Sequence, residues 1–336
     1  MNRKKRILTG DRPTGNLHIG HYVGSLKSRL EFQNEYDTFV LIADVQALTD
    51  NFNTPLKVRD NILELLKDYL AVGLDPKKVT FVLQSQIPQI AELTIFFSNL
   101  VSVARLMRNP TVKNELYDKK DLFKHSIPYG FLGYPVSQAA DISIFNADLV
   151  PVGDDQAPHI EQTIEIVKKF NSVYGDTLKV PTLKLGTIPR LVGIDGKSKM
   201  SKSMNNTINF SDTTQDIKRK IMQMYTDPKR IHSTDPGEVK GNPVFIYHNA
   251  FNPNKSEIKD LENRYKKGQV GDIEVKEKLF NAIDAFISPI REKRLELNNK
   301  DNYLYDILKE GTLRARDEAQ NTMSKVRESM KLLNFN

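Results

Sequence analysis

The chain contains no cysteine and no tryptophan among its 336 residues. The first absence excludes disulfides, cysteine-ligated zinc, iron–sulfur clusters and thiol catalysis. The second leaves the protein without an indole emitter of its own. Long apolar runs are missing too. The longest, such as Thr38 to Ala43 and Val79 to Leu83, suit buried strands. They fall far short of the ~20 residues needed to span a bilayer, so no membrane association is expected. The opening Asn2-Arg3-Lys4-Lys5-Arg6 is basic, like the start of a signal peptide. Only Ile7 and Leu8 follow before Thr9-Gly10-Asp11, so no export segment and a cytoplasmic location are expected. Neither an internal repeat nor a low-complexity tract is visible.

What is present is ordinary for a globular fold. Hydrophobic residues make up 39% and charged residues 27%, enough for a sizeable core. The length predicts one large domain with a smaller one, or two of medium size. Lys and Arg total 49 against 42 Asp and Glu, a net charge of +7. Such an excess is compatible with a polyanionic partner, but many basic proteins bind no nucleic acid.

The first half alternates strand-like and helix-like segments. Arg6 to Thr9, Thr38 to Ala43 and Val79 to Gln84 read as buried strands. Ile19 to Glu35 and Leu56 to Val72 read as helices, with Gly73 at a helix-ending position. This order predicts an α/β fold with a Rossmann-type, doubly wound parallel sheet. Glu92 to Arg105, Pro135 to Phe145 and Asp155 to Phe170 read as further helices, Val150 to Gly153 as a strand end, and Asn109 to Gly130 as irregular. After about Asn206 strand-like runs nearly vanish. Thr213 to Tyr225, Glu257 to Lys267, Ile273 to Glu296 and Tyr303 to Leu332 read as amphipathic helices. The division expected is a catalytic domain over residues 1–205 and an all-helical domain over 206–336, with the last helix packing back on the first domain.

Two strings carry chemistry. Gly10-Asp11-Arg12-Pro13-Thr14-Gly15-Asn16-Leu17-His18-Ile19-Gly20-His21 joins the first strand to the first helix, the place where open α/β sheets bind ligands. Gly10 and Gly15 let backbone approach a ligand, and Gly20 leaves room for a base or ribose. The helix start offers unpaired N–H groups to phosphates. His18 and His21 share one face there and both can donate to an anion. By themselves, two such histidines are as readily a surface pair. The second string, Lys197-Ser198-Lys199-Met200-Ser201-Lys202-Ser203 after Asp195-Gly196, reads as a loop whose lysines can wrap a pyrophosphate. By itself it would be a solvated basic linker. Its place at the expected domain boundary, in a chain that also has the first string, favours the phosphate reading.

His18-Ile19-Gly20-His21 and Lys199-Met200-Ser201-Lys202-Ser203 match, in order and spacing, both signatures of the class I aminoacyl-tRNA synthetases. More narrowly, the chain resembles a divergent branch of the bacterial tryptophanyl-tRNA synthetases over nearly its whole length. Tyr134 to Ile142, Val150 to Gln156 and His159-Ile160-Glu161 carry that resemblance. It implies that Asp141 accepts the indole N–H and that Gln156 orients the amino end of L-tryptophan. Leu8, Gln46, Tyr134, Gln138, Val150 and Val152 complete the implied amino-acid pocket. ATP would lie along Gly10, Arg12, Pro13, Thr14, Gly20, His21, Gly153, Asp154, Asp155 and Leu191. The loop residues Lys199, Met200, Ser201, Lys202 and Ser203 would close over it. His18, His21, Lys113, Lys199 and Lys202 would serve its phosphates.

The resemblance also implies a two-step reaction. Tryptophan and ATP give tryptophanyl-adenylate and pyrophosphate, and tryptophan then passes to tRNA(Trp). Positioning and charge stabilisation suffice, without a side-chain nucleophile. Mg²⁺ would arrive with ATP, no dedicated metal site being visible in the sequence. A homodimer and an anticodon-reading helical region are implied as well, with Arg314, Arg316, Lys325 and Arg327 as RNA-facing candidates. The chain departs from the common pattern at Leu8, where an aromatic is usual, at Gln46 in place of histidine and at Gln138 in place of methionine. Tyr134, Gln138 and Asp141 echo the tyrosyl-tRNA synthetases, so a tyrosine–tRNA ligase is the alternative. A phenol needs a partner that both accepts and donates, whereas an indole N–H needs only an acceptor. Leu8, at the position where tyrosyl enzymes place a tyrosine, can do neither. A nucleotidylyltransferase would lack the second string and the helical region. A non-catalytic RNA-binding relative would have lost the motif histidines and lysines.

Overall fold

Strands buried along most of their length build the sheet. In the computed structural model, which describes residues 4–123, 126–153, 156–185, 191–196, 200 and 204–333, Arg6–Asp11 forms β1 and Asp37–Ile42 forms β2. Val79–Leu83 is β3, Leu149–Val152 is β4 and Thr182–Leu185 is β5. All neighbours pair in parallel, in the order β3-β2-β1-β4-β5. The chain therefore winds outward from β1 in one direction and then in the other. A crevice opens where the direction switches, between the carboxyl ends of β1 and β4. Val40 and Ile42 of β2 enter one apolar cluster, and Phe39 and Leu41 enter another on the opposite face. Both faces of the sheet are thus covered, as a parallel sheet requires.

Several helices differ from the sequence expectation for local reasons. The run from Ile19 to Glu35 is interrupted. Ile19–His21 is α-helical, Tyr22–Leu26 forms a π-turn and Lys27–Glu35 resumes the α-helix. Within the π-turn the Ser25 hydroxyl bonds back to the His21 carbonyl at 3.2 Å, a local competitor of the helix ladder. The expected Glu92 to Arg105 helix is two helices, Pro88–Ser98 and Val103–Arg108, the second capped by Ser102. The Asn109 to Gly130 region is not irregular. It carries helices Pro110–Asp118 and Lys120–Phe123. The Asn109 side chain accepts from Thr111 and Val112 N–H, and Pro110 sits at the first helical position, a helix-starting pair. Tyr129–Ile144 then leads into β4, and Ala157–Tyr174 connects β4 to β5. Helix Pro243–Phe251 was not anticipated. It is apolar nearly all round, with Val244, Phe245, Tyr247 and Phe251 buried, so no polar face marks its period.

The first apolar cluster runs without a break past Asn206. It joins Leu17, Ile19 and Leu65 to Ile217, Tyr247, Leu279 and Ile287 of the later helices. Helix Pro55–Val72 packs directly on helix Asp272–Glu296. The final helix, Asp301–Ser329, lies along β3, the edge strand of the sheet. It comes very close at Gly311, where a Cβ would stand 2.2 Å from the Phe81 carbonyl oxygen. The Thr312 hydroxyl accepts the Leu83 N–H at 3.0 Å. A polar strand edge is thereby covered. Among the described residues, no helix is long and apolar enough to cross a membrane.

Candidate active site

The crevice holds a cavity of about 360 Å³, within the range of small-molecule sites. Leu8, Gln46, Tyr134, Gln138, Asp141, Val150, Val152 and Gln156 all line it, and so do Gly10, Arg12 and Gly153. Leu8 and Val150 project from neighbouring strands, while Tyr134, Gln138 and Asp141 come from one face of the Tyr129–Ile144 helix. The π-turn and the turn after it add Gly24, Ser25 and Ser28 to the rim.

Asp141 is 2% exposed. Burial pushes its carboxyl up to about 7, the nearby Asp44 carboxylate adds to this, and a hydrogen bond from Gln84 opposes it. Gln84 Nε2 donates to both carboxylate oxygens, at 2.9 and 3.0 Å. The Tyr134 hydroxyl meets His159 Nε2 at 2.9 Å, and Asn109 Nδ2 meets His159 Nδ1 at 3.3 Å. With Asn109 donating, Nε2 carries the imidazole proton toward Tyr134. Burial holds His159 down to about 4, so this ring is neutral near pH 7. The Tyr134 hydroxyl is raised, first by burial and then by the charge of Glu115, which also lines the cavity.

The β1 end of the cavity is an ion pair. Arg29 donates to Asp11 Oδ2 at 2.7 Å, and the Tyr69 hydroxyl donates to the same oxygen at 2.7 Å. Burial opposes ionisation of Asp11, but the charge of Arg29, the neighbouring His21 and these two bonds hold its carboxyl well below the usual carboxylate range. At the mouth, Arg12 and Lys119 both bond Asp50, at 3.1 and 2.6 Å. Asp50 thereby links the first loop to the end of the Pro110–Asp118 helix.

The first signature is held from behind. Ile19 N–H donates to the Ile208 carbonyl at 3.0 Å, and Phe210 N–H to the Leu17 carbonyl at 3.2 Å. His18 N–H donates to His21 Nδ1 at 3.2 Å, and the two rings lie 3.8 Å apart. The start of this helix therefore does not offer a set of unpaired donors, because Ile19 and His18 use theirs internally. The room facing Gly20 is filled by the protein itself. A Cβ there would stand 2.8 Å from His18 Nδ1 and 2.9 Å from Met200 Sδ. Leu17 N–H bonds Asp68 at 2.7 Å, and Arg294 of the Asp272–Glu296 helix pairs with both Asp68 and Glu64.

Met200 and Leu191 are buried in the first apolar cluster and do not line the cavity. Pro13 is buried and Thr14 half-buried, also outside its lining. His18, Gly20 and His21 lie beyond the lining as well. Lys113 is exposed on the Pro110–Asp118 helix, whose Glu115 reaches the cavity instead. Asp154, Asp155, Lys199, Ser201, Lys202 and Ser203 lie outside the described residues. Of the RNA-facing candidates, Arg316 bonds the Gln86 carbonyl and Arg327 bonds Glu92, whereas Arg314 and Lys325 are exposed. Sequence reasoning gave no role to Gln84, Arg29, Tyr69, Asp50 or Glu115. The one available signal was a polar residue closing an apolar strand at its carboxyl end, which describes Gln84.

A family model described as tRNA synthetases class I (W and Y) matches residues 1–288. The chain is similar to the tryptophan–tRNA ligase of Clostridium longisporum, at 51% identity over 99% of this chain and 98% of that protein. Its identity to the tryptophan–tRNA ligase of Lactococcus lactis is 49%, over 97% and 98% of the two chains. The fold is similar to the tryptophanyl-tRNA synthetase of Campylobacter jejuni complexed with ADP and tryptophan. There the TM-score is 0.85 and the identity 33%, covering 97% of this chain and 100% of that one. The two signature strings, the parallel sheet with its crevice and the near-full-length relatives converge on one assignment: the chain belongs to the class I tRNA synthetases, in the group that serves tryptophan and tyrosine.

Proposed function

We propose that the chain is a tryptophan–tRNA ligase. The observation that carries this reading is Asp141, a buried carboxylate in the cavity that Leu8, Val150 and Val152 also line. An indole N–H is the donor such a group needs. Leu8 offers a phenol oxygen no hydrogen bond. Gln156 orients the amino end of the substrate, in the cavity that Tyr134 also lines. Its carboxylate attacks the α-phosphorus of ATP, and the bond to pyrophosphate breaks. A terminal ribose hydroxyl of tRNA(Trp) then attacks the acyl carbon and releases AMP. ATP lies from Gly10 and Arg12 toward Gly153, Asp154, Asp155 and Leu191. His18, His21, Lys113, Lys199 and Lys202 serve its phosphates. Mg²⁺ arrives on the ATP phosphates. The helices beyond Asn206 read the anticodon, and the enzyme works as a cytoplasmic homodimer.

The test is pyrophosphate exchange into ATP, run separately with each of the twenty amino acids. Exchange with tryptophan alone is expected. Because the chain has no tryptophan, a change in indole emission on titrating tryptophan reports its binding directly. Exchange with tyrosine and no change in indole emission would replace this reading with the tyrosyl one.

A further inference from the structure

Gln84 stands in the single helical turn Gln84–Gln86 that follows β3, and it is 2% exposed. Both ends of its amide are committed. Its Oε1 accepts the backbone N–H of Gln46 at 3.0 Å, and its Nε2 donates to the two oxygens of Asp141 at 2.9 and 3.0 Å. A backbone N–H can only donate, so it fixes the oxygen of the amide on the Gln46 side. The NH₂ must then face Asp141, and a flipped amide would lose both contacts. Among the described residues no other donor reaches this carboxylate, which also lines the cavity. We infer that Gln84 is a positioning residue that keeps Asp141 an acceptor and thereby sets the selection of an aromatic ring bearing an N–H. This rests on the tryptophan reading above.

The chemistry runs as a competition between two protonation states. A protonated Asp141 would turn an O–H toward the cavity or toward the Gln84 NH₂, donor against donor in either case. Ionised, it accepts from Gln84 and from the ring N–H together. Burial and the Asp44 carboxylate favour the proton, and Gln84 is the group that opposes them. The other ionisable groups around Asp141 are already engaged. Asp11 is paired with Arg29, and Arg12 with Asp50. Tyr134, on the same helix, bonds His159 of the Ala157–Tyr174 helix and lies beside Glu115. Glu92 on the Pro88–Ser98 helix pairs with Arg327, and Glu318 on the last helix pairs with Arg6.

The test compares wild type with Gln84→Met and Gln84→Leu in amino-acid-dependent pyrophosphate exchange, from mildly acidic to alkaline pH. Thermal melts identify which variants fold, and either folded variant suffices. Tryptophan is compared with benzothienylalanine, the ring analogue that lacks the N–H. In wild type, kcat/KM for tryptophan should fall as pH drops through about 7. In the variants it should fall about 10- to 100-fold at neutral pH, chiefly through KM. The acid limb should move to higher pH, so that alkaline pH restores most of the loss. Preference for tryptophan over benzothienylalanine should shrink at neutral pH, and KM for ATP should not change. A merely structural role would give a loss of equal size at every pH with the preference intact, and that result overturns the inference. Wild type that activates tyrosine instead overturns the reading beneath it, and is seen before any variant is made.

Discussion

At the residue scale, Asp141 sets function against stability. Its folded carboxyl is pushed up to about 7, whereas an unfolded aspartate titrates near ~3.9. Below the lower value both states hold the proton and the position costs nothing. Between the two values the unfolded chain releases its proton first, so stability declines as pH rises. Above about 7 the cost is constant. Asp141→Asn removes the charge and keeps an oxygen for Gln84. Its melting temperature should therefore exceed that of wild type by a margin that grows from mildly acidic to neutral pH and then levels off. Tryptophan activation should meanwhile drop by roughly 10²-fold or more, since a site built around one hydrogen bond discriminates strongly. Calorimetry across pH checks the first part. An equal margin at every pH would mean that the carboxyl is not the strained group. Asp141 was legible in the sequence through the family resemblance, and the alanines and isoleucine that flank it agree with its burial. Gln84 was not, because its partner lies 57 positions away and is brought to it only by the sheet.

At the element scale, packing decides where helices end and how closely they approach. Asn109-Pro110 spells a helix start, yet the charged residues after it read as a loop. Thr111 and Val112 are buried, which supplies the apolar side that the sequence pattern obscures. β5 is short and carries Lys184 in its middle, so it has no apolar run to read. The last helix was legible as a helix, but its seat on β3 was not. Gly311→Ala tests that seat. The added methyl would stand 2.2 Å from the Phe81 carbonyl oxygen, a backbone atom that cannot swing aside. The helix must back away from β3, at an expected cost of about 1–3 kcal/mol or more. Urea denaturation should show a lower midpoint. Tryptophan KM should also rise, because β3 leads directly into Gln84. An unchanged midpoint would show that the helix does not press on β3 at Gly311.

At the scale of the whole molecule, the net charge of +7 acquires a location only in the fold. Arg316 and Arg327 hold the last helix to the segment after β3 and are engaged within the protein, while Arg314 and Lys325 remain exposed on the same helix. The tRNA should be held by such free cations. Its affinity should then fall by about 0.7 to 0.9 log units per log unit of salt for each phosphate neutralised. Tryptophan activation without tRNA should vary far less, since buried pairs are weakly screened. Filter binding over a salt series measures the slope, and a flat line would make the basic excess incidental. Sequence alone determined the class of fold, the two signatures and the elements with clean periods. Each of these is a local pattern, or a string whose chemistry needs particular residues at particular spacings. The eight residues expected around tryptophan came from the family resemblance, and the fold brings them to line one cavity. The tertiary structure alone decided that Gln84 fixes Asp141, that Met200 and His18 fill the room at Gly20, and that one apolar core continues past Asn206. These depend on residues far apart in the chain meeting at one point. Burial and hydrogen-bond geometry choose such partners, and neither is written in the neighbouring residues.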